Sequence, residues 1–315
     1  MTDILPISVV VPTIGRPQLL RSLFDSLARC DPRASEVVVV DQSHGSEVAS
    51  VVRDFAGLDA RLVRSSGRGE GLARNVGLRE AHHDVVLWTD DDCTVAPDWV
   101  GRASAHMTKD PGGIVTGRVL PGSDPLSTPS FKDDPVPHDY TGDVYCFALF
   151  PNNMALNRSL ALALGGFDEW LPSAPDNDFC YRWVRAGNRL RYAPDMLVWH
   201  HDWRTPDELE RLYVAYARGQ GAVYAKHLRR GDLGMLKPAT RDLYSGLRGL
   251  AARVVRGRPR WSDARQGVLR GLPVGLLQGW RAYGPRHDTV PGRLRRTTPP
   301  PTGERDTTTD TASDG

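Results

Sequence analysis

The chain has 315 residues, 40% hydrophobic and 25% charged, enough for one large globular domain or one domain with an appendage. Its formal charge of +2 averages unlike parts: residues 241–296 hold thirteen arginines, no lysine and three aspartates (+10), residues 297–315 are at −3, and residues 1–240 are at −5. No run approaches the ~20 apolar residues that cross a bilayer, which excludes a membrane-spanning class.

The first 120 residues alternate short β-branched runs with amphipathic stretches. Ile7–Val11 is a strand, and Pro17–Ala28 carries Leu19, Leu20, Leu23, Phe24 and Leu27 at helical spacing. Glu36–Val40 is a second strand, ended by Asp41. Ser46–Phe55 is helical, Arg61–Val63 a short strand, Gly71–Ala81 helical and Val85–Trp88 a strand. Pro97–Met107 is helical with a proline suited to a first turn, and Ile114–Val119 is a strand. Such alternation predicts an α/β fold whose parallel sheet is covered on both faces, with ligands at the carboxyl ends of its strands. Residues 121–143, rich in Pro, Gly, Ser and Asp, are long for a connection and read as a functional or mobile loop. Asp176–Ala186 is a helix, Arg189–Tyr192 and Met196–Trp199 are strand-like, and Thr205–Arg229 is a longer helix with acids in its first turn. Past about residue 235 the pattern weakens, and Thr297–Gly315 has hardly any apolar residues, so disorder is expected there. The scattered Cys30, Cys93, Cys146 and Cys180 form no CxxC pair, which predicts buried free thiols in a reducing cytosol. No signal peptide is read at the N-terminus.

Chemistry concentrates in five places. Asp90-Asp91-Asp92 follows the apolar strand Val85–Trp88. Three adjacent carboxylates repel one another and resist desolvation unless a cation offsets them, and a hard divalent ion such as Mg²⁺ or Mn²⁺ prefers oxygen ligands. Asp41 ends another strand, as a turn cap or as an acceptor for a base or ribose. Gly67-Arg68-Gly69-Glu70-Gly71 precedes a helix bearing Arg74 and Asn75, a flexible loop or an anion site; it is neither a dinucleotide fingerprint nor a Walker loop. Pro175-Asp176-Asn177-Asp178 opens a helix, where the acids serve as caps or one serves as a general base. His200-His201 follows a β-like run and offers one metal ligand, against a structural role.

Taken in order, these segments resemble the family 2 glycosyltransferases of GT-A fold over roughly residues 7–230. The pieces are Ser8-Val9-Val10-Val11-Pro12-Thr13, Val38-Val39-Val40-Asp41, Gly71-Leu72-Ala73-Arg74-Asn75-Val76-Gly77, Asp90-Asp91-Asp92, Gly165-Gly166-Phe167-Asp168-Glu169 and Asp176-Asn177-Asp178-Phe179-Cys180-Tyr181-Arg182. The resemblance implies a Rossmann-like, mostly parallel sheet flanked by helices, with a C-terminal helical extension. The expected limits are a transferase domain at 1–235, divided into a nucleotide-binding half at 1–120 and an acceptor and catalytic half at 121–235. An Arg-rich, partly helical extension at 236–296 and a disordered tail at 297–315 follow.

The family implies a nucleotide-sugar donor, a divalent metal (Mg²⁺ or Mn²⁺) and inversion at the anomeric carbon. By that resemblance Pro12 and Thr13 line the nucleotide pocket, and Asp41 hydrogen-bonds a pyrimidine, favouring a UDP- or dTDP-sugar. Arg74, with Asn75 beside it, lies near the ribose and diphosphate. Asp90 and Asp92 form the DxD metal motif, with Asp91 near the sugar nucleotide, and His200, or less well His201, completes the metal site. Asp176 matches the general base, with Asp178 in reserve. Pro175 stands where the family has glutamate, a departure that bears on the active geometry. Gln278-Gly279-Trp280-Arg281 lacks the Q-x-x-R-W spacing of processive synthases, so one sugar is expected per transfer. The competing readings are a nucleotidyltransferase on a similar sheet and a catalytically inactive nucleotide-sugar-binding relative. The acceptor, whether glycan, lipid-linked or small molecule, carries no motif. The Arg-rich segment fits an anionic membrane surface as well as a solvated appendage, and nucleic acid fits less well. The expected place is the cytoplasm, free or peripheral at the inner face of the membrane.

Overall fold

The computed structural model describes residues 3–122, 131–140, 151–201, 204–256 and 263–284. Strands β1 (Ile4–Thr13), β2 (Arg33–Asp41), β3 (Ala60–Arg64) and β4 (Val85–Trp88) are parallel, in the order β3-β2-β1-β4. Val9–Val11, Val37–Val40 and Val86–Trp88 are buried on both faces, as continuous apolar strands of a covered parallel sheet should be. Helices α1 (Pro17–Ala28), α2 (Glu47–Asp54) and α4 (Trp99–Lys109) pack on one face through Leu20, Phe24, Val48 and Trp99. Helices α3 (Glu70–Glu80), α5 (Arg158–Ala163) and α6 (Pro175–Arg185) pack on the other through Ala73, Leu78, Ala161, Phe179 and Trp183.

Beyond β4 the sheet is mixed rather than parallel. β8 (Met154–Asn157) lies antiparallel between β4 and β6 (Ile114–Pro121), and its Met154, Ala155 and Leu156 are fully buried. The two strand-like stretches after residue 188 are one strand, β9 (Leu190–His200), parallel to β6. Its register shifts between Gly117 and Arg118, so that a bulge takes up Pro194, which has no N–H to give the ladder. β5 (Cys93–Val95) and β7 (His138–Tyr140) both pair antiparallel with β9. β7 lies inside the segment read as loop.

Helix α7 (Pro206–Arg229) starts with a capping box between Thr205 and Glu208. It is followed by α8 (Leu236–Arg256) and α9 (Asp263–Ala282), long helices where the sequence pattern weakens. The reason lies in the α7–α9 contact. Gly267, Gly271, Gly275 and Gly279 recur every fourth residue along α9 and face α7. A Cβ at Gly275 would lie 1.9 Å from the Arg218 carbonyl oxygen, and one at Gly271 2.3 Å from that of Val214. The helices thus touch backbone to backbone, through residues that leave no apolar periodicity in the sequence.

A buried ionic network ties α7 and the end of α9 to α6 and the segment after α5. Lys226 Nζ lies 2.7 Å from both Asp168 Oδ2 and Asp178 Oδ1. Tyr283 Oη donates to Asp168, while Arg182 and His227 hold Asp178. Cys30, Cys93 and Cys180 are buried free thiols. Cys146 and the tail at 297–315 lie outside the described residues. Among the described residues no helix is long and apolar enough to cross a membrane.

Candidate active site at the carboxyl ends of the strands

Thr13 and Asp41 are register partners at the ends of β1 and β2, and β4 ends alongside them at Trp88, opposite Val10. The acidic run turns from β4 into β5. Thr13 Oγ1 donates to Asp91 Oδ2 at 2.5 Å. Arg16, just before α1, clasps Asp91 through Nε and Nη2 and reaches Asp92 Oδ2 through Nη1 at 2.8 Å. The cation demanded by three adjacent carboxylates is therefore met in part by the chain itself.

The three acids have distinct surroundings. Asp91 is fully buried beneath Thr13 and Arg16. Burial and Asp92 push its carboxyl up to about 7, against the pull of Arg16. Asp90 keeps 28% of its side chain exposed and lies 3.8 Å from Arg74 Nη2. Burial, Asp92 and Glu70 raise it to about 6, against the opposing pull of Arg74. Asp92 faces the β5–β9 ladder, where Cys93 is the register partner of His200. His200 Nε2 lies 3.4 Å from Asp92 Oδ1, whereas the His201 ring pairs with Thr94 Oγ1 at 2.9 Å. Of the tandem histidines, His200 is thus the one beside the carboxylate.

Asp92, Cys93 and His200 offer donor atoms within 4.8 Å of one another. Burial, with Asp92 and Asp90 nearby, pushes the Cys93 thiol well up. An oxygen from Asp92 and a nitrogen from His200 are donors that suit a divalent ion such as Mg²⁺ or Mn²⁺, and the partly exposed Asp90 carboxylate lies outside that group.

The opposite wall is built by α3 and α6. A Cβ on Gly71 would lie 3.0 Å from the Asp168 carbonyl oxygen and 3.4 Å from Pro175, so the two helix starts pack closely. Pro175, in place of an acid, is buried in that contact. This packing sets Glu70, Arg74 and Asp90 near Asp176. Burial, Glu70 and Asp90 together outweigh Arg74 and raise Asp176 to about 7. Asp178 differs: burial pushes it up, but Arg182, Lys226 and His227 prevail and hold it well below the usual range. It is fully buried and cannot serve as the reserve base. Asp176 is left as the only titratable carboxylate of that helix start with surface to spare.

Arg74 is fully buried, paired with Glu70 at 2.7 Å and lying over the Phe167 ring at 5.6 Å. Its Nε and Nη1 have no hydrogen-bond partner among the described residues. A buried guanidinium with unused donors seeks an anion. Asn75 does not share this role: its amide is spent on Phe167 N, Phe167 O and Glu169, at 2.8 to 2.9 Å. It holds the 165–169 turn instead of facing a ligand. Asp41 is also buried, accepting from Ser43 N at 2.8 Å and from Arg64 Nη1 at 2.6 Å. Gln42 grips the glycine loop through both polar atoms of its amide, at Gly69 N and O. Pro12 is partly exposed.

Sequence reasoning missed Arg16, Glu70, Arg64 and Cys93. Arg16 carried a readable signal, since Gly15-Arg16-Pro17 joins the end of a predicted strand to a predicted helix, where ligands gather.

Residues 8–155 match the family model described as Glycosyl transferase family 2. The chain is 32% identical over 216 residues to a pre-mycofactocin glycosyltransferase of Mycobacterium tuberculosis, covering 63% of this chain and 43% of that protein. It is 26% identical over 220 residues to the poly(ribitol-phosphate) beta-N-acetylglucosaminyltransferase TarS of Staphylococcus aureus, covering 66% of this chain and 37% of that one. The chain spans less than half the length of these curated relatives. Among solved structures, it superimposes on the mannosyltransferase PcManGT of Pyrobaculum calidifontis, in complex with GDP-Man and Mn²⁺, with a TM-score of 0.60, 20% identity and 87% of each chain covered. A fragment of S. aureus TarS in complex with UDP-GlcNAc matches with a TM-score of 0.53, 19% identity, and 89% and 93% of the two chains covered. The mixed sheet flanked by helices is shared with these proteins.

Proposed function

We propose, from the match of residues 8–155 to glycosyl transferase family 2, that the chain belongs to that family and moves one sugar from a nucleoside diphosphate sugar to a hydroxyl acceptor, with inversion. The observation that carries this reading is the placement of Asp176. It is a carboxylate raised to about 7, set by the α3–α6 contact near Arg74 and Asp90 and apart from the locked Asp178.

Arg74 binds the donor diphosphate with its two unused nitrogens. Charge grows on that diphosphate as the glycosidic bond breaks, so the contact strengthens in the transition state. Asp92 and His200, with Asp90 beside them, would hold a Mg²⁺ or Mn²⁺ ion, which would supply positive charge to neutralise the leaving group. Arg16 positions Asp91 and Asp92 from below. Thr13 and Pro12 line the nucleotide end, and Asp41 presents Arg64 to it. A pyrimidine donor, UDP- or dTDP-sugar, is the specific proposal; among the structural neighbours the nucleotide varies, with UDP-GlcNAc in one and GDP-Man in another. Asp176 takes the proton of the acceptor hydroxyl, a weak nucleophile at neutral pH, as the new bond forms.

The test is release of nucleoside diphosphate from a panel of nucleotide sugars with Mn²⁺. Asp176→Asn is expected to cut kcat by about 10²–10⁴ with donor binding retained. Full turnover by Asp176→Asn would overturn the base assignment. Failure of the wild-type chain to turn over any donor, with nucleotide still bound, would overturn the transferase reading in favour of an inactive relative.

A further inference from the structure

Helix α8 is built inside out. Its body-facing positions are Ala239, Asp242, Ser245, Gly246 and Gly249, small or polar residues that are buried or half-buried. Its large apolar residues face the other way: Leu236, Leu243, Tyr244, Leu247 and Leu250 are 41–65% exposed. With positions advancing by about 100° per residue, the four leucines fall within about 60° of one another, a continuous stripe along the helix. Lys237, Arg241 and Arg248 are exposed together on an adjoining face, centred about 130° round the helix from that stripe at the same advance per residue. A helix that only had to cover the body would turn its leucines inward.

We propose that this face of α8 lies in the interfacial layer of an anionic lipid membrane, leucines toward the acyl chains and the adjoining basic face toward lipid phosphates. The helix is not long and apolar enough to span, so it lies along the surface. Charge complementarity selects the partner. Residues 241–296 carry +10 and the first 240 residues −5, so this part of the chain is drawn to an anionic layer while the rest is repelled, which fixes the sense of docking. The inference does not depend on the transferase reading.

The test is co-sedimentation of the full chain with vesicles of phosphatidylcholine, alone or mixed with phosphatidylglycerol. The chain is expected to pellet with the mixed vesicles and to stay in solution with phosphatidylcholine alone. Replacing Lys237→Gln and Arg248→Gln should weaken partitioning about thirtyfold, at roughly fivefold per charge. Leu243→Ser with Leu247→Ser should weaken it by at least about tenfold. All four sites are exposed, so thermal unfolding by circular dichroism should be unchanged in both variants. Absence of pelleting by the wild-type chain would overturn the proposal, as would equal pelleting by the leucine variant. So would a concentration-dependent dimer in sedimentation velocity that the leucine variant abolishes, since a second copy would then be what covers the stripe.

Discussion

Lys226→Met should destabilise the fold by about 3 kcal/mol. The ammonium is 3% exposed and stands 2.7 Å from two carboxylates on different segments, Asp168 after α5 and Asp178 on α6. Removing one partner of a buried ion pair typically costs ~3–5 kcal/mol, because the remaining charge is left uncompensated. The lower end applies here. Asp178 keeps Arg182 at 2.8 Å and His227 at 2.9 Å, while Asp168 keeps the Tyr283 hydroxyl at 2.7 Å and the Trp170 N–H at 3.0 Å, both neutral donors. At about 2 °C per kcal/mol for a chain of this size, the midpoint of thermal unfolding should fall by about 6 °C. A double-mutant cycle with Asp168→Asn locates the loss. Neutralising Asp168 removes the stranded charge, so the two substitutions should be less than additive by ~1–3 kcal/mol. A midpoint within about 1 °C of the wild type, or strict additivity with Asp168→Asn, would refute the account of a buried bridge from α7 to α6 and the segment after α5.

Three further outcomes are expected. Because Asp176 must be ionised to accept a proton and its folded value is raised to about 7, activity should be lost as pH falls through about 7, and the acid limb of the kcat/KM profile should report it; a limb near 4 would contradict the environment described. Arg16→Ala should strengthen binding of Mn²⁺ alone severalfold in calorimetric titration, because the guanidinium on Asp91 and Asp92 competes with the ion; unchanged or weaker binding would refute that competition. Gly275→Val should cost at least about 3 kcal/mol and lower hydrogen-exchange protection along α9, since its side chain would meet the Arg218 carbonyl; a neutral substitution would mean that α7 and α9 do not touch there.

The parts of the fold that show in the sequence obey local rules. Val85–Trp88 and Pro17–Ala28 emerge at their observed limits, because each buried strand or face satisfies one period along its own length. β8 and β5 do not emerge. They have four and three residues, and they exist because long-range ladders accept them: β8 between β4 and β6, β5 against β9. The site divides in the same way. Asp90, Asp92, Arg74 and Asp176 stand out as polar groups where apolar strands end or helices begin. Asn75 and Asp178 stand out equally and prove structural, since only the tertiary fold shows that Phe167 and Glu169 occupy the first and Lys226 and His227 the second.

The β5–β9 ladder has a consequence for how the site comes into being. It sets Asp92 beside His200, more than a hundred positions later in the chain and beyond the 8–155 stretch that matches the family model. A nascent chain that has left the ribosome only as far as the central strands holds the acidic run without its histidine and without Asp176. On the proposed metal-dependent reading, affinity for a cation would rise late in synthesis, when the last strand zips into the sheet, and truncation before His200 would take the imidazole away from that site.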